Sequence, residues 1–445
     1  MSNKLDTKAV KPESKRVLKS KLRFPEFKGE PEWNTEKLRA IASLITERAG
    51  NRKCIPMSIT SGVGLVSQQE KFGRTIAGNQ YENYLVLQKD DFAYNKSATK
   101  EFPQGFIAKY SGDEPAAVPN SIFTCFRARK DGIVPDFLDY LFLANLHGKW
   151  LQKYIEVSAR AHGSLSIDDE DLLSLPIPLP SGRSSRAEQQ KISECLTSLD
   201  ELIAAHGQEL DALKAHKKGL TQELFPCEGE TQPRLRFPEF RNAGEWAEET
   251  FGNIIAINSG KGFKASDYSQ TGIRLLQIEN VGYGVTKWNQ NTIYLPESFT
   301  SEYPELVLRS GDIVLALNRP VTNGELKIAK LHKGDEPSIL YQRVGKIILL
   351  GDSLRFDFAF HICRQFIKQF VTNKSIGSDQ PFISLRDLYA QTIFIPLPSE
   401  QQKIADCLSC IDELIIANTQ KFEALKTHKQ GLMQQLFPSP EEVEA

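Results

Sequence analysis

The chain has 445 residues, 40% of them hydrophobic and 25% charged, a globular composition long enough for two or three domains with cores of their own. Its 55 basic and 56 acidic side chains leave a formal net charge of −1, which excludes a strongly charged disordered chain and offers nucleic acid no overall attraction, so any such binding must come from local patches. No stretch approaches eighteen uninterrupted apolar residues, and the lysine-rich N-terminus has no apolar segment of the signal-peptide kind, so a soluble cytoplasmic protein is expected.

Residues 1–21 read as a disordered basic tail. Leu22-Arg-Phe-Pro-Glu-Phe27 then opens a globular half, 22–180, and returns as Leu235-Arg-Phe-Pro-Glu-Phe240, with Trp33 answered by Trp246 at the same offset of 213. A long helix is expected over 181–226, a second globular half with its linker over 227–398, a second long helix over 399–438 and an acidic tail over 439–445. The chain is therefore a tandem repeat. Glu188 to Pro226 aligns without a gap to Glu400 to Pro438, with 24 identities in 39 positions. Just upstream, Ile177-Pro-Leu-Pro180 recurs as Ile395-Pro-Leu-Pro398, separated from its helix in the first copy by six extra residues around Gly182 to Ala187.

Within the repeated segments, Ile192, Leu199, His206, Leu213 and Leu220 lie seven apart, and Leu196, Ile203, Leu210, Lys217 and Leu224 form a second row offset by four. These are heptad core rows. The second copy repeats them with Ile404, Ile411, Asn418, Leu425 and Leu432 beside Leu408, Ile415, Phe422, Lys429 and Leu436. The apolar members are the expected core of an antiparallel helix pair. The polar pairs His206/Asn418 and Lys217/Lys429 fit register-setters, fraying ends or partner contacts alike. Each helix stops at Phe-Pro, and thirty-seven residues give a rod of roughly 55 Å.

The globular halves have diverged, and only islands align. Leu85 to Lys96 faces Leu306 to Arg319, each reading as a turn, a buried strand and a polar tip, the second two residues longer. Apolar helical patterns follow at Phe137 to Ile155 and Phe358 to Phe370, and Ser-x-x-Asp helix starts at Ser166/Asp169 and Ser384/Asp387. The fold class is mixed α/β (α+β), two globular domains joined by two long antiparallel coiled-coil helices in a pseudo-twofold arrangement.

Catalytic signatures are missing. Ser259-Gly-Lys-Gly262 imitates only the end of a phosphate loop, no Asn/Asp-Pro-Pro-Tyr/Phe or His-Glu-x-x-His segment occurs, and Cys407-x-x-Cys410 has no second ligand pair nearby. The seven cysteines are odd in number and scattered, which suits reduced thiols. No catalytic residue and no metal ligand is assigned.

Residues 188–224 carry four lysines against seven acids, so attraction for phosphate is expected from the globular halves. Arg48, Arg52 and Lys53 cluster in a loop of the first half, Asn95 and Lys96 follow an aromatic strand end, and Arg160 and His162 precede a helix start. Lys261, Lys264, Arg274, Asn318, Arg319, Tyr341, Gln342, Arg343 and Gln380 are the candidates in the second. Such loop side chains read base edges or grip phosphates, or are simply solvated charge.

The chain resembles the specificity subunits of Type I restriction-modification enzymes over residues 22–438. The marks are Leu-Arg-Phe-Pro-Glu-Phe before each half, Ile-Pro-Leu-Pro followed by Glu-Gln-Gln-Lys-Ile at Glu188 and Glu400, and Gly-Leu-x-Gln-x-Leu-Phe-Pro at each helix end. Gly272-Ile-Arg-Leu-Leu-Gln277, Arg309-Ser-Gly-Asp-Ile313 and Gln380-Pro-Phe-Ile-Ser384 are also typical. The resemblance implies two target recognition domains reading double-stranded DNA and two conserved spacer helices that set their distance and dock two modification subunits. Two restriction subunits would join the full complex. S-adenosylmethionine, ATP and Mg²⁺ would belong to those partners, and this chain would be non-catalytic. A helical scaffold that binds only proteins is the alternative, but it leaves paired, diverged domains unexplained.

Overall fold

A computed structural model describes residues 17–439, apart from residues 61–62, 79, 98, 100–101, 130, 155, 158–164, 228 and 375–382. Two compact units divide the chain: residues up to 206 together with those from 421 onward, and residues 207–420. The boundary falls inside both long helices, so each unit is a globular domain closed by the start of one helix and the end of the other. Among the described residues no helix is long and apolar enough to cross a membrane.

In the first unit, β1 (Asn34–Lys37), β2 (Ala42–Leu44), β3 (Ile55–Thr60), β4 (Gly64–Ser67), β5 (Leu85–Leu87), β6 (Asp91–Asn95), β7 (Phe106–Lys109), β8 (Ala116–Val118), β9 (Phe123–Ala128) and β10 (Pro176–Leu179) form three sheets. Their orders are β2-β9-β6-β7, β4-β3-β8-β5 and β1-β10. Within the second of these, β3 and β8 run parallel. The second unit has β11 (Ala247–Thr250), β12 (Ile255–Ser259), β13 (Ile273–Leu276), β14 (Tyr283–Gly284), β15 (Tyr294–Leu295), β16 (Val307–Leu308), β17 (Ile313–Ala316), β18 (Ile328–Lys330), β19 (Ser338–Leu340), β20 (Val344–Leu349) and β21 (Thr392–Ile395). Its sheets are ordered β12-β20-β17-β18-β14, β15-β13-β19-β16 and β11-β21. β13 and β19 are again parallel. The two halves thus share these three sheets beneath sequences that align only in islands; the second adds β14 at one edge and pairs Val321–Thr322 with Glu325–Leu326, and the first pairs Glu156–Val157 with Leu165–Ser166.

The first helical pattern breaks into α1 (Pro135–Leu143) and a short helix at Gly148–Gln152, whereas α3 (Phe356–Lys374) runs unbroken. The cause is Asn145, whose φ of 56° is left-handed and ends the first segment. The cap expected at Ser166 is instead Asp168, which accepts from Asp171 N at 2.8 Å, while Ser384 caps its helix as read, accepting from Asp387 N at 3.4 Å.

The long helices are α2 (Ser185–Leu224) and α4 (Pro398–Leu436), each roughly 60 Å long at 1.5 Å per residue. Their heptad rows are buried or half-buried, whereas Leu202 and Leu414, outside the rows, are exposed. The pairing is antiparallel in each unit. In the first, Ile192 and Leu196 share a core with Met433, Leu436 and Phe437; in the second, Leu220 and Leu224 share one with Ile404 and Leu408. The Phe-Pro helix ends plug the domain cores. Trp33, Phe137 and Phe437 form a triad with ring centroids 5.8–6.4 Å apart, and Trp246, Phe358 and Phe225 repeat it at 5.8–6.5 Å.

One sequence alignment is corrected. Asn34 pairs with Leu179 and its repeat partner Ala247 with Ile395, so Leu179 occupies the place of Ile395 and the two Ile-Pro-Leu-Pro segments stand two residues out of register. Eight residues then separate Leu179 from Glu188 and four separate Ile395 from Glu400, so the first copy has four extra residues, not six. Gly182, with φ of 89°, makes the turn there, against Glu30.

Candidate nucleic-acid interface

The motif Glu-Gln-Gln-Lys-Ile is the joint between each domain and its helix. Arg23 donates from Nε and Nη2 to Glu188 at 2.8 and 2.7 Å, and Arg236 grips Glu400 in the same way at 2.8 and 2.6 Å. Both carboxylates are 1% exposed, and the two-point bond holds each guanidinium above its ordinary pKa. The neighbouring glutamines, Gln189 and Gln401, are fully buried. Gln189 accepts from Val134 N at 3.0 Å and donates to Gly132 O at 3.0 Å; Gln401 accepts from Arg355 N and donates to Ser353 O, both at 2.8 Å. Two buried, fully bonded side chains therefore fix the domain's inner loop to the helix.

The strand exits carry the candidate reading residues. In the second unit β12 leads to Lys261, the β19–β20 turn holds Tyr341, Gln342 and Arg343, and β17 leads to Asn318 and Arg319. Backbone bonds join the three: Gln342 N donates to Lys261 O at 3.1 Å and Leu317 N to Arg343 O at 2.9 Å. Arg319 and Arg343 are exposed and hold left-handed φ values of 45° and 69°, a backbone that costs a residue with a Cβ about 1 kcal/mol or more and that concentrates at functional sites. Among the described residues neither guanidinium is paired with a carboxylate. Lys261 stands 4.0 Å over the Tyr303 ring. Gln342 Nε2 donates to the Tyr341 hydroxyl at 3.3 Å. Asn318 Oδ1 is buried without a hydrogen-bond partner.

Other candidates are differently engaged. Arg274 lies 4.5 Å over Trp288 and donates to Gly334 O, and Lys264, exposed, opens a short helix by donating its backbone N–H to Asp267 at 2.8 Å.

In the first unit Arg48 corresponds to Lys261, four residues past equivalent strand positions Leu44 and Ile257. Its guanidinium donates to Asn83 O and Oδ1 at 3.2 and 3.4 Å. Arg52 is ion-paired with Glu47 and bonded to Arg48 O, whereas Lys53 is exposed and, like Arg48, has no carboxylate among the described residues. Asn95 is not a tip. It is 6% exposed, pairs with Phe123 as Ala316 pairs with Val344, and accepts from Ser97 N at 3.2 Å. Asn318 and Arg319 thus lie beyond the place Asn95 and Lys96 occupy, and Lys96 matches Leu317: each donates its N–H to the turn before the next strand. Arg160, His162 and Gln380 lie outside the described residues.

Among the described residues no group of three His, Cys, Asp or Glu side chains is placed to hold a metal ion. The buried histidines are held far below their ordinary pKa by burial, His147 to about 3 and His361 to about 3. Neither lies on these strand exits.

The model of the Type I restriction modification DNA specificity domain matches residues 72–215 and 243–427. The Type I restriction enzyme MjaVIII specificity subunit of Methanocaldococcus jannaschii is 34% identical over 69% of this chain and 71% of its own length. The EcoAI specificity subunit of Escherichia coli is 31% identical over 52% of this chain and 38% of its own. The crystal structure of the Type I S subunit from M. genitalium, 14% identical, superposes with a TM-score of 0.57 over 94% of this chain and 99% of that one, a likeness of fold. With the domain model running through both halves of the repeat, the chain belongs to the family of Type I restriction-modification DNA specificity subunits.

Proposed function

We propose that each globular domain reads one half of an asymmetric, bipartite DNA target, while the paired helices set the spacer and dock two modification subunits. The reading is carried by one observation: the same sheet topology presents its strand exits in both domains, with Lys261, Gln342, Arg343 and Arg319 in one and Lys53, Lys96 and the tethered Arg48 in the other. Equivalent frames with unlike loop side chains suit half-sites of unlike sequence. Half-sites about one helical turn apart, 34–36 Å, suit a reader with two recognition domains.

Two restriction subunits complete the complex. The chain itself performs no chemistry: S-adenosylmethionine serves the modification subunits, ATP and Mg²⁺ the restriction subunits, and the assembly works on cellular DNA in the cytoplasm. Methylation-aware sequencing of a host carrying the whole system tests this. A gapped, asymmetric motif is expected, and purified chain with labelled S-adenosylmethionine should transfer no methyl group. A continuous motif, or methylation by the chain alone, overturns the reading.

A further inference from the structure

We infer that the cleft between α2 and α3 in the second unit is a phosphate-binding site through which the subunit grips the DNA backbone away from the base-reading loops. The inference rests on the DNA-recognition reading. The cleft has a volume of about 540 Å³, within the range of built ligand sites, and all its walls belong to residues 207–420.

Five cations line it: Lys214, Lys217 and Lys218 from α2, Arg364 and Lys368 from α3. Among the described residues two carboxylates face them. Glu325 lies 3.2 Å from Lys368 and 3.5 Å from Arg364; Asp412 is paired with Lys217 and lies 3.8 Å from Arg364. Lys214 and Lys218 stand exposed on the rim without a carboxylate partner among the described residues. A structural ion network approaches balance because each desolvated, uncompensated charge is costly. Among the described residues three positive charges are in excess here, two of them on the solvated rim.

The inner wall asks for an acceptor. Two buried atoms of this wall lack a hydrogen-bond partner, Arg364 Nη1 and Asp412 Oδ2; the guanidinium can only donate, so Nη1 is the one that takes an acceptor. A phosphate oxygen answers both needs, since Arg binds phosphate through directed N–H bonds and rim lysines act as point charges. Burial, and after it the charge of Arg364, pulls Lys217 down to about 8 against the pull of Asp412.

The repeat accounts for Lys214 and Lys217, whose equivalents are Lys426 and Lys429, but not for the other three cations. His361 bonds Ser409 as Tyr140 bonds Thr197, the repeat equivalent. By that alignment the first unit has Leu143 and buried His147 in the places of Arg364 and Lys368, and Gln430 in the place of Lys218.

The test compares the assembled complex carrying Lys214→Ala/Lys218→Ala with wild type on specific and unrelated duplexes across salt. A matched control removes two helix lysines elsewhere, Lys421→Ala/Lys426→Ala. The rim variant is expected to reduce the log K against log salt slope by about 1.8 on every duplex, with base preference intact and the control unchanged. Titration of the full chain with inorganic phosphate and pyrophosphate distinguishes the source. Loss of slope on DNA assigns the duplex backbone; cleft-dependent binding of free phosphate with an unchanged DNA slope keeps the phosphate site and removes DNA as its ligand. No change in either arm, or an equal loss in the control, overturns the inference. Wild-type complex that binds no DNA would instead sink the recognition reading.

Discussion

Lys217 of α2 is paired with Asp412 of α4, and the repeat makes the same exchange with Lys429 and Asp200, whose oxygens lie 2.5 and 2.6 Å from the ammonium. Each lysine occupies a heptad core row and reaches an aspartate on the opposite helix. Sliding one helix by a turn separates both pairs, so these four residues act as register-setters. Lys217 is buried, and Asp200 is 42% exposed. Asp412→Ala, which leaves Lys217 and Arg364 facing each other, is expected to cost about 3 kcal/mol. Asp200→Ala should cost less than half of that, because water screens the freed charge. Urea unfolding of both variants and of Lys217→Met/Asp412→Leu checks this, and the double variant should recover most of the loss.

A carboxyl in the first domain supplies a pH dependence. Asp139 on α1 is raised to about 6, chiefly by burial and against the opposing charge of Lys109, whose backbone N–H it accepts at 3.3 Å. A folded-state pKa above the unfolded one means that the folded chain holds the extra proton. The stability this brings is complete below the unfolded value near 3.8 and is lost as pH rises through about 6. Asp139→Asn should abolish that decline and melt above wild type at pH 7. Thermal midpoints of both proteins from pH 4 to 8 measure the difference, which should grow across the interval from 4 to 6.

Arg343 separates reading from folding. Its φ of 69° is a conformation that glycine adopts without a Cβ penalty. Arg343→Gly should therefore leave the fold as stable as wild type or slightly more so, while Arg343→Ala retains the strain. If the guanidinium reads a base edge, both variants lose about 1 to 3 kcal/mol of discrimination at the half-site read by the second domain. Binding of assembled complexes to duplexes substituted in each half-site decides the matter. Equal losses on every duplex would make Arg343 a phosphate contact.

The parts of this fold legible in the sequence are those where one residue type does one job at fixed spacing. Heptad leucines, the Trp33/Trp246 match and the Phe-Pro stops all declared themselves this way. Sheet topology did not, because many apolar sets satisfy the same strand pairing, and shared order emerges only when β6 and β17 are seen between equivalent neighbours. Proline pattern misled at Ile177 and Ile395, where strand register outranks identity. Asp200 and Asp412 were readable as repeat equivalents, but their partners lie across the helix pair at no constant sequence distance. For loop charge the difficulty is sharper. Arg52 and Lys53 look alike in sequence, yet Glu47 neutralises one and leaves the other free for a ligand.

The helices as a ruler give the last prediction, and the ion pairs dictate how it must be tested. Lys217 lies seventeen residues after Asp200 on α2, and Lys429 seventeen after Asp412 on α4. Lengthening one helix alone makes those intervals unequal, so both pairs cannot form together. Insertions must therefore be matched, between Leu210 and Leu213 and between the equivalents Phe422 and Leu425. Seven residues in each preserve the heptad faces, turning the continuation by only about 20°, where four would turn it by about 40°. Matched heptads lengthen the rod by roughly 10.5 Å, or about three base pairs at 3.4 Å each. The preferred spacer should grow by about that amount while both half-sites keep their bases, as read by methylation-aware sequencing of a host carrying the altered system. The single-helix insertion should lower the unfolding midpoint. An unchanged spacer with altered half-site bases would show that the helices do not set the distance.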